Sequence, residues 1–328
     1  MYLEHFGLRE LPFSLTPDTS FFFACTSYQE ALNTLLVAAR NGEGFIKIVG
    51  EVGNGKTMLC RKFLATLNAD STAEKVNKNV SVDSCTPVNA KSVNPSQARE
   101  KFAIAYIPNP FLEPRSLLLA LADEFCIPLD QSIDQHHILK ELTRALLQFA
   151  RDGKRVLVCL DEAQGMPLES MEMLRLLTNL ETEKRKLMQV VLFGQPELDA
   201  RLKQNSIRQL RQRISFQYVL SGLRRDELDR YLRYRLSVAG YKGDTLFKAA
   251  AVARLHRVTR GTPRLVNILA NKALMLAFGE GRQQVLPRHV GLAAADTPES
   301  KQDRRKWLWA AFVVMLSTEL IVGWVLMR

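Results

Sequence analysis

The sequence predicts an α/β fold: a parallel sheet with helices on both faces, then a small all-helical domain, then one membrane-spanning helix. Three observations carry this expectation. Short apolar runs alternate with helical periodicity between residues 28 and 220. Every pattern between Gly222 and residue 295 is helical, and residues 307–327 are almost continuously apolar.

Taken in order, residues 28–40 place Leu32, Leu35, Leu36 and Ala39 on one helical stripe, and Gly42 and Gly44 stop it. Residues 45–49 form the first strand, followed at once by a glycine-rich loop and a helical pattern through Leu67. Further strands are expected at 103–107, 156–160, 190–193 and 216–220. Helical stretches at 115–126, 136–150 and 168–181 separate most of them. The stretch 70–101, rich in Asn, Ser, Lys and Val without a sustained period, breaks this rhythm and reads as a mobile surface insertion. Helices at 224–239, 245–258, 263–278 and 287–295 follow. The expected boundaries are 1–221 for the α/β domain, 222–296 for a helical lid, 297–306 for a basic linker and 307–327 for the span.

A chain of 328 residues holds one large domain and a smaller one, and 47% hydrophobic with 24% charged content is that of a globular protein. The five cysteines (Cys25, Cys60, Cys85, Cys126 and Cys159) show no paired spacing suggestive of zinc or a redox couple, which fits a reduced interior. A formal net charge of +11 admits nucleic acid or an anionic membrane face as partner. Arginines crowd between Arg201 and Arg235, where solvated helix faces are an equally good explanation, and a second basic cluster covers 301–306. With Glu4, Glu10 and no apolar run, the N-terminus does not read as a signal peptide.

The chemistry begins at the glycine-rich loop. Gly50, Glu51, Val52, Gly53, Asn54, Gly55, Lys56 and Thr57 fit the phosphate-loop pattern G-x-x-x-x-G-K-[ST] between a strand and a helix, with Met58 next into the helix. Glycines let backbone N–H groups face phosphates, and the helix adds its positive end. Lys56 is placed to neutralise β- and γ-phosphate charge, and Thr57 to offer its hydroxyl to Mg²⁺, so ATP with Mg²⁺ is the expected ligand pair. About a hundred residues on, the third strand ends in Asp161 and Glu162, two acids that are costly to bury without a cation or water. Asp161 is the candidate Mg²⁺ ligand, and Glu162 the residue that orients or deprotonates the attacking water.

Three further positions fit hydrolysis. Gln195, just past the fourth strand, is placed to sense the γ-phosphate, or is a turn residue before Pro196. Arg264, in Gly261-Thr262-Pro263-Arg264, reaches the phosphates from the lid or faces solvent. In the run Arg208 to Arg213 an arginine can project into a neighbouring subunit's site; Arg213 is the first choice and Arg211 the second, the alternative being a basic helix end.

With these residues goes a resemblance to the AAA+ ATPases of the general secretion pathway protein A family, extending from Met1 to about Asp296. It rests on Phe6-Gly7-Leu8, Pro12-Phe13, Pro17-Asp18, the phosphate loop, Ala105 to Pro110, Asp161-Glu162-Ala163-Gln164, Gly194 to Leu198, Leu210 to Ile214 and Gly261 to Arg264. The resemblance implies an AAA+ fold with a helical lid. It also implies an inner-membrane ATPase that helps assemble a secretion machine or a type IV pilus of the MSHA kind. Residues 70–101 look longer than the family needs. The family's periplasmic peptidoglycan-binding region is not among these 328 residues, so peptidoglycan binding is not carried over.

Residues 307–327 carry a single charge, Glu319, and as a helix span about 30 Å, a bilayer core. Trp307, Trp309 and Trp324 lie near its ends, where indoles prefer the interface. An amphipathic or buried helix is the rival reading, but the polar face is small. Glu319 marks contact with a partner helix or is a tolerated acid near the far interface. The leading expectation is thus a single-pass inner-membrane ATPase facing the cytoplasm. Its expected partners are further copies in a nucleotide-dependent homo-oligomeric ring (a hexamer), inner-membrane pilus or secretion assembly proteins and membrane lipid, with no specific nucleic acid. The alternatives are a nucleic-acid-handling ATPase of the transposition-helper kind and a nucleotide-controlled scaffold.

Overall fold

The computed structural model describes residues 2–15, 21–76, 101–130, 133–182 and 185–300. These form two compact units, Thr26–Ser221 and a second built from the chain before and after it. The short helix α1 (Tyr2–Phe6) belongs to the second.

The first unit runs α2 (Thr26–Asn41), β1 (Phe45–Gly50), α3 (Lys56–Val76), β2 (Lys101–Ile107), α4 (Pro114–Glu124), α5 (Gln135–Arg151) and β3 (Lys154–Leu160). It continues through α6 (Leu168–Leu177), β4 (Glu181–Thr182), β5 (Arg185–Lys186), β6 (Met188–Gly194), α7 (Glu197–Leu202), α8 (Arg208–Gln212) and β7 (Ile214–Leu220). Five strands make one sheet in the order β2-β3-β6-β1-β7, all parallel. The sequence explains that order. β1 and β6 are buried along their whole length and are apolar apart from Lys47 and Gln189, as suits strands covered on both faces. β2 and β7, at the edges, are less buried, and β7 alternates between half-buried and exposed positions.

Helices cover the sheet with their apolar stripes. In α5, Ile138, Leu142 and Leu146 recur every four residues and are buried, and Asp134 caps the helix by accepting the His137 N–H at 2.9 Å. Leu117, Leu118 and Leu121 of α4 join the same core. Burying each such side chain contributes about 1.5–3 kcal/mol. Cys60 and Cys159 are fully buried, as expected of thiols acting as small hydrophobes.

In the second unit α9 (Arg225–Val238), α10 (Ala249–Thr259), α11 (Pro263–Gly279) and α12 (Pro287–Ala295) pack together. Its turn at Arg260-Gly261 is left-handed at both residues, with φ of 51° and 76°. A Cβ on Gly261 would stand 1.9 Å from the Leu223 carbonyl oxygen, so only glycine fits there.

Several expectations are corrected. The N-terminal segment, expected in the α/β domain, packs in the helical unit. Buried Arg235 donates to the carbonyls of Pro12 (2.5 Å) and Ser14 (3.3 Å), and its guanidinium lies 4.7 Å over the Phe21 ring. The helix expected at 168–181 stops at Leu177, because the chain turns into the small antiparallel hairpin β4–β5. The helix expected from 245 begins at Ala249, since Phe247 is drawn into a parallel bridge with Val285. α3 continues to Val76, into the expected insertion, whose remainder (77–100) lies outside the described residues. The span expected at 307–327 also lies outside them, and no described helix is long and apolar enough to cross a membrane.

Candidate active site

Three neighbouring strands of the sheet end together. The registers pair Val49 with Gly194 and Leu160 with Leu192, so the loops after β1, β6 and β3 emerge side by side at the carboxyl edge of the sheet. That edge is where ligands bind in open α/β sheets. The order β3-β6-β1 has a direct consequence: Gln195, following β6, sits between the phosphate loop and the acids that follow β3.

The loop itself is built on glycine and on Tyr28. Gly53 and Gly55 have φ of 83° and 81°. The Tyr28 hydroxyl donates to the Asn54 carbonyl at 2.7 Å, and a Cβ on Gly55 would stand 1.6 Å from that hydroxyl. Asn54 Nδ2 donates to the Leu220 carbonyl at 2.9 Å, tying the loop to the end of β7. Glu51 and Val52 are exposed and lend the loop their backbone, while Met58 is half-buried in the first turn of α3. The leading N–H groups of α3 lack intrahelical acceptors, which makes its N-terminus an anion site.

Around this loop the polar groups satisfy one another. Lys56 Nζ donates to the carbonyls of Gly50 (2.8 Å) and Glu51 (3.2 Å). Burial holds the Lys56 ammonium below the usual lysine range, against the opposing pull of Glu162, Asp161, Glu51 and Glu197. The Thr57 hydroxyl donates to Asp161 Oδ2 at 2.6 Å. Burial pushes the Asp161 carboxyl above its usual range, although that bond, the Glu162 N–H and Lys56 oppose the shift. Glu162 takes the left-handed conformation, φ 50° and ψ 38°, and its N–H donates to Asp161 Oδ1 at 3.0 Å. Its carboxylate accepts from Gln164 Nε2 at 2.5 Å and from Gln195 Nε2 at 2.9 Å. Burial would raise its pKa, but these two donors and Lys56 outweigh burial and hold it below the usual carboxylate range.

Lys56, Thr57, Asp161, Glu162 and Gln195 are therefore brought together; Arg213 is not. Arg213 ends α8 just before β7, and the register sets Phe45 opposite Ile214 and Gly50 opposite Leu220. It stands at the amino edge of the sheet, about 20 Å from its own phosphate loop at ~3.3 Å per strand residue. Arg208 and Arg211 are exposed and Arg213 half-buried; their side chains make no hydrogen bond or ion pair with described residues. Arg264 is an exposed residue in the first turn of α11, in the other unit. Sequence reasoning assigned no role to Tyr28, Gln164 or Arg201. Only Gln164 left a signal, as the last residue of Asp161-Glu162-Ala163-Gln164.

A glycine-built phosphate loop opening a helix, next to two acids on an adjacent strand end, defines a P-loop nucleoside triphosphatase. The profile of the family described as AAA domain matches residues 39–202. General secretion pathway protein A of Aeromonas hydrophila is 36% identical over 325 residues, which cover 99% of this chain and 53% of that protein. The chain belongs to the AAA+ ATPases, in the family of general secretion pathway protein A. It spans about half the length of that relative. Among solved structures, the Drosophila origin recognition complex bound to DNA matches with TM-score 0.60 at 16% identity, covering 87% of this chain and 64% of that one. Cdc6p of Pyrobaculum aerophilum matches with TM-score 0.58 at 16% identity, covering 87% and 70%. The Aeropyrum pernix ORC2 protein, in ADPNP and ADP complexes, matches with TM-score 0.55 at 18% identity, covering 86% and 72%. At these identities the likeness is one of fold.

Proposed function

We propose that the protein is a Mg²⁺-dependent ATPase that acts as a nucleotide-dependent ring, a hexamer, and drives assembly of a secretion or MSHA-like type IV pilus machine at the inner membrane. The observation that carries the enzymatic part is the convergence of Lys56, Thr57, Asp161, Glu162 and Gln195 at one edge of the sheet. The Thr57 hydroxyl and the Asp161 carboxylate, 2.6 Å apart, are hard oxygen donors of the type Mg²⁺ takes, so these residues fit the ion. Mg²⁺, when bound, neutralises charge on the β- and γ-phosphate oxygens.

The chain's own groups do the rest. Lys56 exchanges the Gly50 and Glu51 carbonyls for phosphate oxygens. Glu162 accepts the proton of the attacking water as the new oxygen–phosphorus bond forms and the bridging bond to ADP breaks. Gln195 contacts the γ-phosphate side, Arg264 approaches the phosphates from the helical unit, and Arg213 is supplied to the site of a second copy. Support for that last role is the placement of Arg213 at the edge opposite its own phosphate loop. The membrane part rests on residues 307–327, with Arg304, Arg305 and Lys306 holding the ATPase in the cytoplasm.

The nucleic-acid alternative is weaker because acids neutralise much of the basic α9 surface: Arg230 pairs with Asp226 at 3.1 Å and Arg233 with Asp229 at 2.9 Å. Duplex DNA binding should be weak and lost steeply with salt. The deciding experiment measures ATP hydrolysis by the full chain with and without Mg²⁺, beside Glu162→Gln. Hydrolysis that needs Mg²⁺ and fails in Glu162→Gln, while ATP still binds, supports the reading. Turnover in that variant at the wild-type rate overturns it.

A further inference from the structure

One side chain that does not line the phosphate loop is tied to the hydrolytic acid through both ends of its amide. Gln164 Nε2 donates to Glu162 Oε2 at 2.5 Å, and Gln164 Oε1 accepts the backbone N–H of Gln195 at 3.0 Å. Gln195 closes the ring by donating its own amide to the same Glu162 oxygen at 2.9 Å. The turn carrying Gln164 is itself held from α7: Arg201 donates Nη1 to the Gln164 carbonyl, and Nη2 to the Met166 carbonyl at 2.6 Å.

Two features make this more than a satisfied surface network. Glu162 occupies a left-handed conformation that is costly for a non-glycine residue, so its neighbours must hold it there. Both amide donors also take Oε2, and Oε1 has no hydrogen-bond partner among the described residues. The carboxylate is gripped by one oxygen and left open at the other.

We propose that Gln164 is a positioning residue for hydrolysis: by holding Oε2 it aims Oε1 at the attacking water, and through Gln195 it couples that aim to the end of β6. This rests on the reading of Glu162 as the group that receives the water's proton. Gln164 acts through Glu162 and Gln195, so its loss should act on turnover and spare binding.

The test uses the full chain, with Gln164→Leu and Gln164→Glu measured for kcat, KM and ATP affinity beside Glu162→Gln. Gln164→Glu keeps the shape and the acceptor for the Gln195 N–H, loses the donor to Glu162 and sets a second carboxylate against it, whereas Gln164→Leu removes the donor without adding charge. Both variants should lose roughly 10- to 100-fold in kcat, the scale of a misplacement near 1 Å, with KM and ATP affinity within about two-fold of wild type. Retained affinity also shows that each variant is folded. Wild-type kcat in both variants, or an affinity that falls in step with kcat, overturns the proposal. If Glu162→Gln itself turns over normally, the assignment of Glu162 fails instead, so the two failures are told apart.

Discussion

Two clusters of polar groups at opposite edges of the parallel sheet are held in opposite ways. At the carboxyl edge, Lys56, Thr57, Asp161, Glu162, Gln164 and Gln195 are all engaged with one another or with backbone. At the amino edge, the side chains of Arg208, Arg211 and Arg213 have no hydrogen-bond or ion-pair partner among the described residues. Burial accounts for the first pattern: groups in a cleft are costly to leave unpaired, so they bond to each other. The proposed supply of Arg213 to a second copy accounts for the second pattern. A closed half-site on one edge and open cations on the other are what a site shared between two copies requires.

The largest effect should come from Lys56→Ala, which removes the only cation of the phosphate loop. ATP binding, followed by calorimetry or a fluorescent analogue, should fall below detection, and hydrolysis with it. Binding near wild-type strength would mean that the carboxyl edge is not the nucleotide site.

Glu162→Gln should keep ATP affinity and lower kcat about 10²- to 10⁴-fold, the range for removing a general base. Arg213→Ala sharpens the contrast between the edges. It should bind ATP normally, yet stay far below the wild-type rate even at protein concentrations that saturate self-association. A wild-type rate in that variant would shift the role to Arg211.

The smallest effect is on stability. Burial raises the Asp161 pKa in the folded state, so the folded protein favours the neutral form. A raised acid contributes stability at pH values below its unfolded pKa and loses it as pH rises through the folded one. At neutral pH the ionised carboxylate is therefore a burden on the nucleotide-free protein. Asp161→Asn should raise the melting temperature there, by about 2–4 °C for each kcal/mol recovered, while hydrolysis falls. A lower melting temperature, by calorimetry, would show that the bonds from Thr57 and the Glu162 N–H outweigh the desolvation.

Much of this contrast was legible in the sequence. The phosphate loop and the Asp161-Glu162 pair announce themselves through residue type, spacing and an adjoining apolar run, all of them local. Tyr28 and Arg201 are invisible at that level, because their partners lie 26 and 35–37 positions away, and Gln164 shows only as the last residue of Asp161-Glu162-Ala163-Gln164. The N-terminal segment failed for the same reason. Phe6, Leu8 and Phe13 are buried, but only the capture of Pro12 and Ser14 carbonyls by Arg235, over 220 positions on, says in which domain. The hairpin β4–β5 escaped because strands of two residues leave no period to read.

The claim that the two edges complete each other is tested most directly by mixing two inactive variants. Lys56→Ala lacks a working phosphate loop but keeps Arg213; Arg213→Ala keeps the loop and lacks the arginine. In a mixed assembly some intact loops face an intact Arg213 on a neighbouring copy. Hydrolysis measured across mixing ratios should therefore rise well above the sum of the separate variants, with a maximum at intermediate ratios. A rate that stays at that sum at every ratio, in assemblies shown to exchange subunits, would contradict the shared site.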